Sequence, residues 1–155
     1  MIEIVEGLYL GNREAARDLR RLRQAGITHI VNCTCELPNY HEGRFVYLAL
    51  GLSDPDPELE EHFPAVFSFI DEARRGGGRV LVHCFAAISR SPSVVLAYLC
   101  HLGDPLEEAA RKLGAVVWCD PDVLHLEQLA RHLGLGYAEP ELLRLSCVLQ
   151  GRKEM

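Results

Sequence analysis

Residues 83–91 read His-Cys-Phe-Ala-Ala-Ile-Ser-Arg-Ser, placing the thiol of Cys84 and the guanidinium of Arg90 six positions apart with mostly small or apolar residues between them. The apolar run Arg79-Val-Leu-Val before them reads as a buried strand, and the pattern turns helical from Ser91 onward. The segment therefore sits at a strand-to-helix turn, with its amides at a helix N-terminus. Such amides converge on anions, and the helix dipole favours the negative charge by up to about 2 kcal/mol in partly buried geometries. A thiol held in that field beside an arginine becomes a thiolate nucleophile near neutral pH. Arg90, planar and always charged, can clamp two phosphoryl oxygens at once, which lysine cannot copy. In this reading Phe85, Ala86, Ala87, Ile88, Ser89 and Arg90 form a phosphate cradle with Cys84 at its base. The competing reading is an ordinary strand-to-helix turn.

The elements that must position this loop follow from hydrophobic spacing. Ile4 to Asn12 alternates as an edge strand or hairpin ending in a turn at Gly11-Asn12. Residues 13–26 form a helix with Ala15, Leu19 and Leu22 on one stripe, closed by Gly26. Residues 27–35 and 45–50 are β-rich strands, joined by a loop over 36–44. The segment Leu-Ser-Asp-Pro-Asp-Pro-Glu at 52–58 carries two aspartates and two prolines, so it is a surface loop. A helix over 59–75 stops at Gly76-Gly77-Gly78, and four helical runs occupy 91–103, 105–115, 120–134 and 139–151. Strands alternating with helices and then a helical C-terminal half predict an α/β fold with a mainly parallel central sheet flanked by helices. The chain is expected to be one catalytic domain over 1–150 with a short tail at 151–155.

The pattern Cys-x5-Arg followed by Ser, preceded by His and an apolar strand, resembles the signature of the cysteine-dependent protein tyrosine phosphatases. Within them it resembles the small dual-specificity phosphatases, whose loop usually reads His-Cys-x-Ala-Gly-x-Ser-Arg-Ser. The segments at 7–12, 22–40 and 63–73 and the Ser-Pro-Ser-Val-Val-Leu-Ala-Tyr-Leu run after the loop are similar to that family too. The resemblance implies a protein-tyrosine-phosphatase-like fold and attack by Cys84 on phosphorus to give a phosphocysteine, with an aspartate protonating the departing oxygen and later activating water. Asp54 matches the family's acid position, and Asp56 is the rival. Ser91 would donate a hydrogen bond to the thiolate when it leaves, and His83 would buttress the loop. The loop departs from the pattern at Ala87, where the family usually has Gly; if the site needs a positive φ, the methyl costs of order 1 kcal/mol. Asp122 stands near a position where the family usually has Asn, and its charge is expected to loosen support around the loop.

Composition narrows the function further. A net charge of −6 argues against a general basic field for nucleic acid or an acidic membrane surface, and no stretch approaches a membrane span or a signal peptide. The expected location is the cytoplasm, with the nucleus also open. The loop lacks lysine, which argues for phosphorylated protein substrates rather than phosphoinositides or RNA ends. No metal or cofactor is implied. Of the six cysteines, Cys33 and Cys35 share a strand face as small buried residues, or either could form a disulfide with an oxidised Cys84. His101, His125 and His132 show no ligand spacing with the cysteines and are expected at the surface or in helix packing, and Trp118 as an interior or rim anchor. The expected activity is hydrolysis of phosphotyrosine and phosphoserine/threonine; the alternative is a weakly active or inactive pseudophosphatase that binds phosphoproteins. Oligomeric state is left open.

Overall fold

A computed structural model describes residues 1–152. Residues 153–155 of the expected tail lie outside the described residues. The chain opens with strands β1 (Ile2–Val5) and β2 (Leu8–Gly11), an antiparallel hairpin turning at Gly7 with φ 79°. The helix expected over 13–26 is two short ones, α1 (Arg13–Arg17) and α2 (Leu19–Gln24). They break at Asp18, whose carboxylate accepts from the Arg21 amide and so starts a second helix where the first would have continued.

Strands β3 (His29–Thr34), β4 (Val46–Leu52) and β5 (Val80–His83) complete a five-stranded sheet in the order β1-β2-β5-β3-β4. Every pairing except the β1–β2 hairpin is parallel. The mainly parallel sheet expected from the sequence is thus the observed architecture. β5 lies at the centre, with Val80, Leu81 and Val82 fully buried, because helices cover both faces of the sheet. On one face Tyr9, Ile30 and Leu81 pack with Ala16 of α1 and Leu22 of α2.

The other face carries the larger core. It is covered by α3 (Phe63–Arg75), α4 (Arg90–His101), α5 (Leu106–Val116), α6 (Val123–His132) and α7 (Glu139–Leu149). A 3-10 turn over Leu59–His62 precedes α3, and Pro64 stands in the first turn of that helix, where its missing N–H costs nothing. The last helical run expected from the sequence forms α7, which buries Leu142, Leu145 and Leu149.

Parallel strands that all run one way bring their C-terminal ends to one edge. The loops after β3, β4 and β5 therefore open together, carrying Glu36, Asp54 and Cys84 respectively.

Candidate active site

Two carbonyls of the loop between β5 and α4 are tied to neighbouring segments. The Phe85 carbonyl accepts from the Arg13 amide at 3.0 Å and the Ile88 carbonyl from the Asp120 amide at 2.8 Å. The amides of residues 85–89 donate to no other backbone carbonyl among the described residues. Unpaired backbone donors are rare in folded proteins, and a ring of them at a helix N-terminus is an anion site. Ala87 sits at φ 59°, the only non-glycine residue with positive φ among the described residues. The loop thus needs at this position the conformation for which glycine is suited.

Cys84 is buried beneath these amides, and the Ser91 hydroxyl donates to its Sγ at 3.0 Å. His83 is buried below, with Nδ1 3.3 Å from the Cys84 carbonyl; burial lowers its pKa to about 4, so it is a neutral strut.

Arg90 enters from the first residue of α4 and is 6% exposed. Its Nη1 and Nη2 donate to the two carboxylate oxygens of Glu36 at 2.6 and 2.7 Å, and Nη1 also donates to the Leu52 carbonyl at 3.0 Å. Its Nε is buried with no partner. A guanidinium held rigidly by two nitrogens, with the third donor buried and unpartnered near the loop amides, has the geometry of an oxyanion clamp.

Sequence reasoning missed Glu36. The available signal was an acidic residue directly after a buried strand next to the cysteine strand. The Asn32 side-chain Nδ2 donates to the Leu37 carbonyl at 2.9 Å and Thr34 Oγ1 accepts from the Leu37 amide at 3.0 Å, which curls the loop and presents Glu36 to Arg90. The hydrogen bonds from Arg90 lower the Glu36 pKa to about 2 against a smaller opposing effect of burial.

Asp54 joins Glu36, Cys84, Phe85, Ala86, Ile88, Ser89 and Arg90 around a cavity of 420 Å³. Asp56 is turned away. Its carboxylate accepts from the Ser53 amide at 3.0 Å, the Ser53 hydroxyl at 3.2 Å and the Glu58 amide at 2.8 Å. Burial pushes its pKa up, but those donors together outweigh burial and hold it below the usual value. The geometry brings Asp54 to the cysteine and spends Asp56 on folding its own loop.

A larger cleft, of 740 Å³, lies at the opposite end of the strands among Glu6, Asp71, Arg74 and Arg79. It holds no cysteine, and its arginines are engaged with Tyr98, Tyr9 and backbone carbonyls. Volume alone does not locate the chemistry here.

Four other expectations are corrected or refined. His125, expected at the surface or in helix packing, is buried and hydrogen-bonded to the loop after β4: its Nε2 accepts from the Asp56 amide at 2.9 Å. Trp118 is not interior, being 56% exposed. Cys35 lies past the end of β3 and is exposed, while Cys33 is fully buried next to Cys84, because the ladder pairs Asn32 with His83 just before them. Burial, and then the nearby Cys84, push the Cys33 thiol well up. Asp122 does not loosen the loop, since its carboxylate caps α6 at the Leu124 amide and its own amide donates to Ser89 Oγ at 2.9 Å. Among the described residues no group of three or more His, Cys, Asp or Glu is placed to hold a metal ion.

The family model for the dual specificity phosphatase catalytic domain matches residues 8–109, which include the whole β5–α4 loop. The chain belongs to this family. It is 43% identical over 99 residues to dual specificity protein phosphatase 2 of Mus musculus, covering 63% of this chain and 31% of that protein. The chain therefore spans only 31% of the length of this curated relative. Among solved structures it is similar to DUSP15, with a TM-score of 0.78 and 31% identity over 99% of this chain and 97% of that one. It is also similar to the human tyrosine phosphatase-like serine/threonine/tyrosine-interacting protein, with a TM-score of 0.79 and 32% identity over 85% and 94% of the two chains. No helix among the described residues is long and apolar enough to cross a membrane.

Proposed function

We propose that this chain is a dual-specificity protein phosphatase, its activity carried by one catalytic domain over residues 1–150, which hydrolyses phosphotyrosine and phosphoserine/threonine in proteins. The observation that carries the reading is the orphaned, buried Arg90 Nε beside unpaired loop amides, with the Cys84 sulfur at the base of the same cavity. In the first step the Cys84 thiolate attacks phosphorus, the P–O bond to the substrate breaks, and Asp54 gives its proton to the departing oxygen. In the second, water attacks the phosphocysteine, Asp54 takes back a proton, and the P–S bond breaks. Inorganic phosphate leaves, and Ser91 Oγ supports the restored thiolate. The loop amides and Arg90 hold the equatorial oxygens in both steps.

A second reading is a phosphoprotein-binding module with little turnover. It is favoured by Ala87 at φ 59° and by the likeness to a structure whose name describes a phosphatase-like interacting protein. Cys84 and Arg90 around one cavity, with the Ser91 hydroxyl bonded to the Cys84 sulfur, support the enzyme. A pH–rate profile on an aryl phosphate for the parent, Cys84→Ser, Asp54→Ala and Asp56→Ala tests both. The expected outcome is turnover abolished by Cys84→Ser and lowered about 100-fold or more by Asp54→Ala, with Asp56→Ala losing much less. Phosphopeptide binding without turnover in the parent establishes the binding module instead.

A further inference from the structure

His125 lies in the first turn of α6, fully out of solvent, and faces the acid loop with one ring nitrogen and α4 with the other. Its Nε2 accepts from the Asp56 amide at 2.9 Å. Its Nδ1 stands 3.2 Å from Ser93 Oγ and 3.4 Å from Ser89 Oγ. The Ser93 hydroxyl hydrogen is already given to the Ser89 carbonyl at 2.6 Å, so Ser93 Oγ can only accept from the imidazole. Both ends agree on the neutral ring that carries its proton on Nδ1.

One turn further along α6, Gln128 Nε2 donates to the Asp56 carbonyl at 2.7 Å, and its Oε1 accepts from the Glu60 amide at 2.9 Å. Asp56 is thereby held at both its N–H and its C=O by α6, two residues from Asp54. Ser89 is the N-cap of α4 and precedes Arg90, and Ser93 lies in the first turn of that helix. The imidazole is a tie between the loop that carries the acid and the helix end that carries the cradle.

We propose that His125 is a positioning residue for the acid step, locking the acid loop to the N-terminus of α4 so that Asp54 is presented to the leaving oxygen. This rests on the reading of Asp54 as the acid. The charged groups that act on the ring are the carboxylates of Asp54 and Asp56 from the acid loop and of Asp122 at the start of α6, and the Arg90 guanidinium from α4. Burial outweighs the three carboxylates and keeps the pKa below the ordinary value. Protonation would turn Nε2 from acceptor to donor, set it against the Asp56 N–H, and free the loop.

The test combines amide exchange, a leaving-group comparison and a pH profile. In His125→Leu the Asp56 amide is expected to exchange about 10-fold faster or more than in the parent. Turnover of a phosphoserine peptide, whose alkoxide needs a proton, falls about 10–100-fold, and turnover of dinitrophenyl phosphate, whose leaving group does not, falls far less. His125→Gln, which offers Oε1 to the Asp56 amide but does not titrate, recovers most of the peptide turnover and shifts the acidic limb of its pH profile to lower pH. Unchanged exchange at Asp56, or a ring protonated on Nε2 in the nitrogen NMR spectrum of the parent at neutral pH, overturns the tie; the second measurement needs no variant. Equal losses on both substrates, or a Gln variant with the parent's pH profile, overturn its role in the acid step. Absence of turnover in the parent defeats the phosphatase reading instead, and the exchange and NMR results still decide the tie.

Discussion

At Ala87 a single methyl group sets two effects against each other. An L-residue at φ 59° costs about 1 kcal/mol relative to glycine, but glycine loses about 0.4–1 kcal/mol more backbone entropy on folding. Ala87→Gly is therefore expected to leave the melting temperature nearly unchanged. Its effect is expected at the loop amides, whose arrangement depends on the φ of this residue, and the aryl phosphatase rate should rise several-fold. An equal or lower rate sinks this account of the residue. Glu36 presents a similar contest, because the carboxylate that aligns Arg90 also offsets its charge. Two short bonds fix the guanidinium while Nε stays free for the anion, so alignment is expected to win. Glu36→Gln should lower kcat/KM on an aryl phosphate about tenfold, since misalignment of a clamp is costly in rate. A rise in kcat/KM would instead make Glu36 a competitor for the clamp. With its pKa near 2, the carboxylate stays charged through the whole assay range, so the effect is the same at every working pH.

At the scale of elements, helix packing settles what propensity would get wrong. Gly114 lies within α5, where alanine would normally stabilise by up to about 1 kcal/mol. A Cβ there would meet the Val148 carbonyl of α7, a backbone atom that cannot swing aside. Gly114→Ala is expected to destabilise by about 1–3 kcal/mol, read as a lower urea midpoint with unchanged slope. A higher midpoint would mean that α7 does not pack this closely. Much of the element order was legible because unbroken apolar runs such as Val80 to Val82 and helical stripes such as Phe63, Val66, Phe67 and Ile70 carry burial directly. The candidate site's loop was legible for a related reason: it is local, contained in nine consecutive residues. What was not legible depends on partners far along the chain. Glu36 meets Arg90 across 54 positions and His125 meets Asp56 across 69, and a lone acid or a histidine on an apolar stripe carries no mark of such a partner. The break at Asp18 was missed because the apolar stripe runs through it, while the capping carboxylate favours a restart.

For the whole molecule, the buried histidine under the cradle ties global stability to pH. The His83 pKa falls from 6.5 to about 4 on folding because burial disfavours the imidazolium. Below pH 6.5 the unfolded chain takes up a proton at this residue that the folded chain refuses until about pH 4, so folding stability falls as pH drops through that window and is unaffected above it. The full difference corresponds to about 3 kcal/mol, a large share of the stability of a domain this size. Carboxylates act lower. Glu36, with its folded pKa depressed from 4.5 to about 2, contributes stability above pH 4.5 that is lost as pH falls through about 2, so it does not mimic the histidine. His29 and His125 have lowered values as well and add to the same limb. Urea midpoints measured at steps between pH 7 and 4 should therefore decline for the parent. In His83→Asn, which keeps a polar side chain but cannot titrate, the decline should be shallower even if the midpoint at pH 7 is lower. Parallel declines in the two proteins would show that His83 does not carry the acid limb, because a difference in slope with pH is the one signature that loss of packing cannot produce.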